Sequence, residues 1–311
     1  MSYYIGVDGG GTKTAYALFD ENKKMIAGTE GKGSNHENLE GSFDEASDYI
    51  IDGINTLCSS AGITAEDVSF TLMGLAGIDH PYQHDIMCEK IRAKGLNRFE
   101  IFNDGFIVVK AGSETGAAIG YNCGTGVCCN AVDSKGNMLQ LMGLGRFTGD
   151  VSGGTDIAIK AFELMYDELY LGLGKTMITS LVGEKYGFEK REDYLTLVEK
   201  AENSDPETIR TLIGFFFEAA KQGDRPALRY CEAMAERGAR AISALANQLE
   251  FDGDEIEVVL SGSINVKLDN DVYLDMLYEK AQAYCSKKLK FIKLTAKPVT
   301  GCINWILQDY C

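Results

Sequence analysis

Short apolar runs and longer helical periodicities alternate along the chain. Tyr3 to Val7 and Ala15 to Phe19 are brief apolar stretches with β-branched and aromatic members, and both read as strands. A third strand starts at Met25-Ile26. Phe43, Ala46, Ile50, Ile54 and Leu57 then fall at helical spacing, predicting a helix from Phe43 to Ser60 closed near Gly62. Val68 to Met73 reads as a buried strand, followed by the turn Gly74-Leu75-Ala76-Gly77. Pro81 opens a helix to about Lys94, with Gly95 as its stop. Phe99 to Phe102 is a strand ending at Asn103-Asp104-Gly105, and a helix runs from Phe106 to Ala111. The predicted order to this point is βββαβαβα.

A second half begins near Thr115 with three strands of its own. Several helices follow between about Thr155 and Glu250, the longest from Asp224 towards Leu249. Then come the strand Ile256 to Leu260, the turn Ser261-Gly262-Ser263, a helix from Asp271 to Cys285 and the strand Lys290 to Leu294. A last helix is expected from Pro298 to Gln308. The pattern predicts an α/β protein of two domains, residues 1–113 and 114–297, with the C-terminal segment 298–311 packing back on the first.

Asp8-Gly9-Gly10-Gly11-Thr12-Lys13-Thr14 lies between two strands. It is therefore a hairpin, not the strand-to-helix turn of a dinucleotide or P-loop fold. Three glycines let the backbone approach an anion and aim N–H groups at it. Asp8 is placed to hold a hydrated Mg²⁺, and Thr12, Lys13 and Thr14 add donors. The alternative is an ordinary tight hairpin.

The pattern recurs. Ile5-Gly6-Val7-Asp8-Gly9-Gly10-Gly11-Thr12 aligns with Ile119-Gly120-Tyr121-Asn122-Cys123-Gly124-Thr125-Gly126. Ala17-Leu18-Phe19-Asp20 aligns with Asn130-Ala131-Val132-Asp133, and Met25-Ile26 with Met138-Leu139 after a one-residue slip. A repeated β-turn-β-turn-β unit suggests two related domains facing each other, each offering a phosphate-binding hairpin to one cleft. The alternative is a chance likeness of two glycine-rich hairpins.

Composition narrows the partners. The 311 residues carry a formal charge of −16, which argues against nucleic acid or an anionic membrane as a partner. No apolar run is long enough to span a bilayer and no signal-peptide core precedes the first strand, so a cytoplasmic protein is expected. Nine cysteines without a C-x-x-C pair read as reduced thiols rather than disulfides or metal ligands.

In these motifs and their spacing the chain resembles the sugar-kinase, actin and heat-shock-chaperone superfamily, and within it the BadF/BadG-type ATPases that include N-acetylglucosamine kinase. The carriers are Asp8–Thr14, Ser34-Asn35-His36, Leu75-Ala76-Gly77, Asn103-Asp104 and Gly124-Thr125-Gly126. Gly143-Leu144-Gly145, Gly149-Asp150, Gly223-Asp224, Leu260-Ser261-Gly262-Ser263 and Gly301-Cys302 continue the series. The resemblance implies two ribonuclease-H-like (actin-like ATPase) domains flanking an ATP cleft, and Mg²⁺-dependent transfer of the γ-phosphoryl group to the 6-hydroxyl of N-acetylglucosamine or N-acetylmuramic acid. An activator ATPase of a dehydratase or reductase is the alternative. It would place cysteines around an iron–sulfur cluster, and Cys123, Cys128 and Cys129 flank the second hairpin without the expected spacing. A small sugar is the implied substrate and a homodimer the expected assembly.

The same resemblance distributes roles. Asp8, Gly10, Gly11, Thr12, Lys13 and Thr14 face Gly124, Thr125 and Gly126 around the phosphates, while Gly223, Gly262 and Ser263 lie beside the nucleotide. Asn35, His36, Gly145 and Asp150 contact the sugar. Asp104, at the carboxyl end of a strand, is the candidate base. At an ordinary carboxyl pKa of about 3.9 it is a weak base, which a loose transition state tolerates. The competing reading of Asn103 or Asp104 is a helix N-cap. The chain departs from its relatives at Leu144, where they tend to have Trp, and at Val151, where they tend to have an acidic residue, which leaves the sugar undetermined.

Overall fold

The computed structural model describes residues 2–203 and 205–311, with only the backbone of residue 146. In the first half, strands β1 (Tyr3–Gly9), β2 (Lys13–Asp20), β3 (Met25–Lys32), β4 (Val68–Leu75) and β5 (Phe99–Phe102) make one sheet. Helices α1 (Ser42–Ser60), α2 (Pro81–Ala93) and α3 (Asp104–Gly112) accompany it. The second half begins with β6 (Ala118–Cys123), β7 (Val127–Val132) and β8 (Met138–Met142). A helical stretch follows: α4 (Gly154–Tyr166), α5 (Met177–Tyr186), α6 (Arg191–Tyr194), α7 (Thr196–Glu202), α8 (Pro206–Lys221) and α9 (Arg225–Gln248). It ends with β9 (Glu255–Ser261), α10 (Gly262–Lys267), α11 (Asp271–Tyr284), β10 (Lys288–Lys293) and α12 (Thr300–Asp309).

The two sheets have the same order. The first runs β3-β2-β1-β4-β5 and the second, read from its β8 edge, β8-β7-β6-β9-β10. In each, the first three strands are antiparallel neighbours and the last two join in parallel. The expected slip between the repeats lies in the glycine hairpins. Gly9 pairs with Thr14, leaving four loop residues, whereas Cys123 pairs with Val127, leaving three. Beyond that point the turns coincide. Asp20 Oδ1 accepts from the N–H groups of Asn22 and Lys24, and Asp133 Oδ1 from those of Lys135 and Asn137.

Strand alternation divides the core. Ile5 and Val7 face the cluster formed with Ile50, Ile54 and Leu57 of α1 and Met87 and Ile91 of α2. Tyr4, Ala17 and Phe19 face the opposite way, into a layer shared with α3 and α12. In the second sheet Ile119, Tyr121 and Cys123 enter the large helical core, and Ala118 and Val259 meet that shared layer. The two middle helices reach across. The Cβ of Cys302 on α12 lies close over Gly6 of β1, and Val109 of α3 lies over Gly120 of β6. Asn304 of α12 also donates to the Lys110 carbonyl at 2.9 Å, and Trp305 stacks on Phe102.

Local signals explain the helix starts. α8 opens on Pro206 behind Asp205 and α9 on Arg225-Pro226 behind Asp224, and these carboxylates accept from Thr208 N–H at 2.9 Å and Ala227 N–H at 3.0 Å. Helix α3 starts at Asp104, two residues before the expected Phe106, because Asn103 caps it. No helix among the described residues is long and apolar enough to cross a membrane.

Candidate active site

A cleft of about 530 Å³ opens between the two sheets. From the first half it is lined by Gly10, Gly11 and Thr12, by Asn35, Glu37 and Asn38, and by Ala76, Gly77, Asp79, Asn103 and Asp104. From the second half come Asn122, Thr125 to Cys128, Gln140 and Gly143. Both glycine hairpins therefore open on one cavity. A Cβ at Gly126 would meet nothing within 4 Å, so that backbone is open to a ligand. A larger pocket of about 720 Å³ lies elsewhere, where lysines and carboxylates pair with one another, Lys290 with Glu257 at 3.1 Å among them. It contains neither glycine hairpin.

Asn103 takes the cap. Its Oδ1 accepts from Gly105 N–H at 2.9 Å, which makes Asn103 the cap of α3. Asp104 is left as the first helical residue, on the cleft wall. Burial, then the charges of Asp8 and Asp79, push its carboxyl up to about 7. Burial likewise lifts Asp8 to about 6, against the pull of Lys13. A carboxylate of that basicity is a far better proton acceptor at neutral pH than an unperturbed Asp.

Other expected residues take different places. Lys13 is exposed and its Nζ pairs with Glu30 at 2.6 Å. Thr14 is fully buried and its hydroxyl donates to Ser34 Oγ at 2.9 Å, so neither side chain is offered to the cleft. β2 starts at Lys13, and strand alternation sends the two side chains to opposite faces of the sheet. Asn35 lines the cleft, with its Oδ1 accepting from Glu37 N–H at 3.0 Å. His36 is buried, stacked 3.8 Å from the Phe43 ring with its Nδ1 unpartnered, and burial lowers its pKa. It packs behind the sugar loop rather than lining the cleft.

Gly145 and Asp150 bond to each other, Gly145 N–H to Asp150 Oδ2 at 2.8 Å, and neither lines the cleft. Among the described residues the buried Asp150 Oδ1 has no hydrogen-bond partner, which leaves one acceptor for a hydroxyl. Gly262 has a backbone reason for its identity: at φ +83° a side chain there would collide with the Cys123 carbonyl. A Cβ added at Gly124 would lie 3.8 Å from the Gly262 Cα, so the second hairpin runs beside that turn. Gly223 sits at φ +88° between α8 and α9 with open space around it, and Ser263 is exposed in the first turn of α10. Neither lines the cleft.

The sequence reading missed Asp79, Asn122 and Gln140. Asp79 follows the expected Gly74–Gly77 turn at the end of β4, and that strand-end position was its available signal. Gln140 carried none, because its role depends on the opposite lobe. Of the three cysteines near the second hairpin only Cys128 lines the cleft. Cys123 and Cys129 are buried, Cys123 Sγ donates to the Ser152 carbonyl at 2.7 Å, and burial holds both thiols far above their ordinary pKa. No group of three His, Cys, Asp or Glu among the described residues is placed to hold a metal ion directly.

Comparison with known proteins agrees with this geometry. The model of the BadF/BadG/BcrA/BcrD ATPase family matches residues 5–285. The chain belongs to that family. Among its family relatives, an N-acetylmuramic acid/N-acetylglucosamine kinase of Clostridium acetobutylicum is 24% identical over 309 residues, 97% of each chain. An N-acetyl-D-glucosamine kinase of Dictyostelium discoideum is 23% identical over 231 residues, 71% of this chain and 72% of the relative. A crystal structure from Chromobacterium violaceum, provisionally named an N-acetylglucosamine kinase, matches with a TM-score of 0.69 at 20% identity over 99% of both chains. A ROK family glucokinase from Streptomyces griseus, solved with glucose and AMPPNP, matches with a TM-score of 0.55 at 16% identity over 97% of both chains. These structures share the fold of this ATPase-family member, as the paired sheets led us to expect.

Proposed function

We propose that the protein transfers the γ-phosphoryl group of ATP to the 6-hydroxyl of an N-acetylated amino sugar. The observation that carries the reading is the elevated carboxylate of Asp104 on the wall of a cleft that both glycine hairpins enter. Residues 1–113 with α12, and residues 114–297, are the two bodies that close on the substrates.

Phosphoryl transfer needs alignment and charge neutralisation more than covalent help. Gly10 N–H closes the first hairpin on the Lys13 carbonyl, and the backbone of Gly11 and Thr12 and of Thr125-Gly126 supplies N–H donors to the phosphates from both walls. The charges of Asp8 and Asp79 both act on Asp104, and such a concentration of carboxylates favours a bound cation. Mg²⁺, when bound, neutralises the phosphate oxygens, and Asp8 is the residue placed to hold its water shell. Asp104 orients the sugar hydroxyl and takes its proton as the oxygen attacks. Asn35 and Asn38 on the same wall provide donors and acceptors for the other hydroxyls.

The sugar is read from charge. Glu37, Asp79 and Asp104 line the cleft, and no Lys or Arg does so among the described residues. Such a wall accepts from hydroxyl and amide donors and repels a carboxylate. It favours N-acetylglucosamine over the lactyl-bearing N-acetylmuramic acid. Both curated relatives also carry N-acetylglucosamine in their names.

An ATP-consumption assay over glucose, glucosamine, N-acetylglucosamine and N-acetylmuramic acid, with product masses, tests this. The expected result is a phosphomonoester formed fastest from N-acetylglucosamine. ATP loss without any phosphorylated sugar would refute the reading.

A further inference from the structure

Two amide side chains of the second sheet reach the first half beside Asp104. Asn130 of β7 and Gln140 of β8 are direct cross-strand partners, so both project from one face of the sheet. Gln140 Nε2 donates to Asp79 Oδ1 at 2.7 Å. Asn130 Nδ2 donates to Asn103 Oδ1 at 3.2 Å. Asn103 Nδ2 donates to the same Asp79 Oδ1 at 2.9 Å. The four residues close a ring, two from each half, and Asn103 is both the chain neighbour of Asp104 and the cap of its helix.

We propose that this ring is a clasp that holds Asp104 in register with the second lobe, and that Asp79 is its positioning residue. The proposal rests on the reading of Asp104 as the base. No motif in the sequence marked this arrangement, because its members come from four separate segments.

The energetics favour a positional role over a stabilising one. Asn130 is fully buried, and its Oδ1 has no hydrogen-bond partner. An unpaired buried polar atom carries a desolvation cost that an apolar residue of similar size would not incur. Gly105 carries a second cost. A Cβ there would collide with Asn130 Oδ1, so this helix position takes glycine, a poor helix former. What both concessions secure is the contact between Asn130 and the cap of α3. Two bonds of the ring end on the Asp79 carboxylate, and of these the Gln140–Asp79 bond is the one that crosses the cleft, which makes it the firmest link between the halves.

The charges around the base allow a clean test. Asp104 feels Asp8 from β1 and Asp79 from the loop after β4, and the Cys128 thiol of β7 feels both Asp104 and Asp79. His36 also faces Asp79. Asp79→Asn keeps an oxygen acceptor for both donors and removes only the charge. Gln140→Met keeps length and volume on the edge strand β8 and removes only the donor.

We would measure kcat, KM and the pH dependence of kcat/KM with ATP and N-acetylglucosamine as the probe acceptor, alongside thermal melting and nucleotide binding. Asp79→Asn is expected to move the acid limb to lower pH by several tenths of a unit or more, with the melting temperature little changed. Gln140→Met is expected to lower kcat about tenfold, leaving the acid limb and nucleotide affinity unmoved. Asp104→Asn is the control. If it is inactive while Asp79→Asn and Gln140→Met both keep wild-type kcat and an unshifted acid limb, the clasp is refuted and the base stands. If Asp104→Asn still turns over, the base assignment falls and the clasp with it.

Discussion

The first three strands and β6-β7-β8 are the same unit built twice, and they differ where chemistry is attached. Both units turn on an aspartate, Asp20 or Asp133, that ties down two N–H groups of the following turn. Both carry a glycine, Gly6 or Gly120, over which a helix passes closely. The divergence lies at the strand ends. In the first half the segments after β4 and β5 carry Asp79 and Asp104, while after β9 the second half has Ser261-Gly262. One lobe thus brings carboxylates to the cleft, and the other brings a glycine hairpin with uncharged side chains, Asn122 and Gln140 among them. The shared sheet order supplies the frame, and the two lobes differ at loop positions, which tolerate change better than sheet interiors.

Asp104→Asn tests the acidic lobe and carries the largest expected effect. Removing a positioned base should lower kcat about 10²–10⁴-fold while ATP binding persists. The same substitution should stabilise the fold at alkaline pH. The Asp104 carboxyl titrates near 7 when folded and near 3.8 when unfolded. Its protonated form therefore contributes stability that is full below about 4 and lost as pH rises through about 7. Asn removes that loss. We expect a gain on the order of 1–3 kcal/mol at pH 8, shrinking as pH falls from 7 to 4. Denaturation midpoints at pH 8 and pH 4 that move together would contradict this account of the site's electrostatics.

The glycines of the second lobe give the next contrast. Gly262→Ala forces a left-handed residue against the Cys123 carbonyl and should cost about 2–4 kcal/mol. Gly126→Ala enters open space and should leave the melting temperature alone while raising KM for ATP. Equal melting temperatures for the two variants would show that Gly262 is not held by its neighbours as described.

The matched turns give the smallest effect. Asp20→Ala should cost about 1 kcal/mol. Asp133→Ala should cost more, because Asp133 Oδ2 also accepts from Asn137 Nδ2 at 3.0 Å and Glu250 N–H at 3.2 Å. Chemical denaturation of the two variants measures the difference. An Asp20 variant that is the less stable of the two would break the comparison.

Element by element, the sequence was readable wherever the signal is local. Every strand of both sheets was anticipated, because apolar runs bounded by Gly, Asn and Asp dictate strands and turns without reference to distant residues. The hairpins, the Asp20 and Asp133 turns and the Asp224 cap belong to the same class. Lys13 and Thr14 do not line the cleft, and motif membership could not say so because it does not fix the face of a strand to which a side chain points. Gly145 and Asp150 also lie off the cleft wall, with one carboxylate oxygen engaged inside their own loop.

By itself, then, the chain determined two repeated α/β units with glycine hairpins and a carboxylate at a strand end, since those follow from backbone sterics and the two-residue alternation of strands. Only the tertiary structure decided that both hairpins open on one cleft, that burial and then the charges of Asp8 and Asp79 raise the Asp104 carboxyl, and that Asn130 and Gln140 reach over to Asn103 and Asp79. Desolvation and Coulomb interactions depend on separations in space, and those separations are fixed only when remote segments pack together.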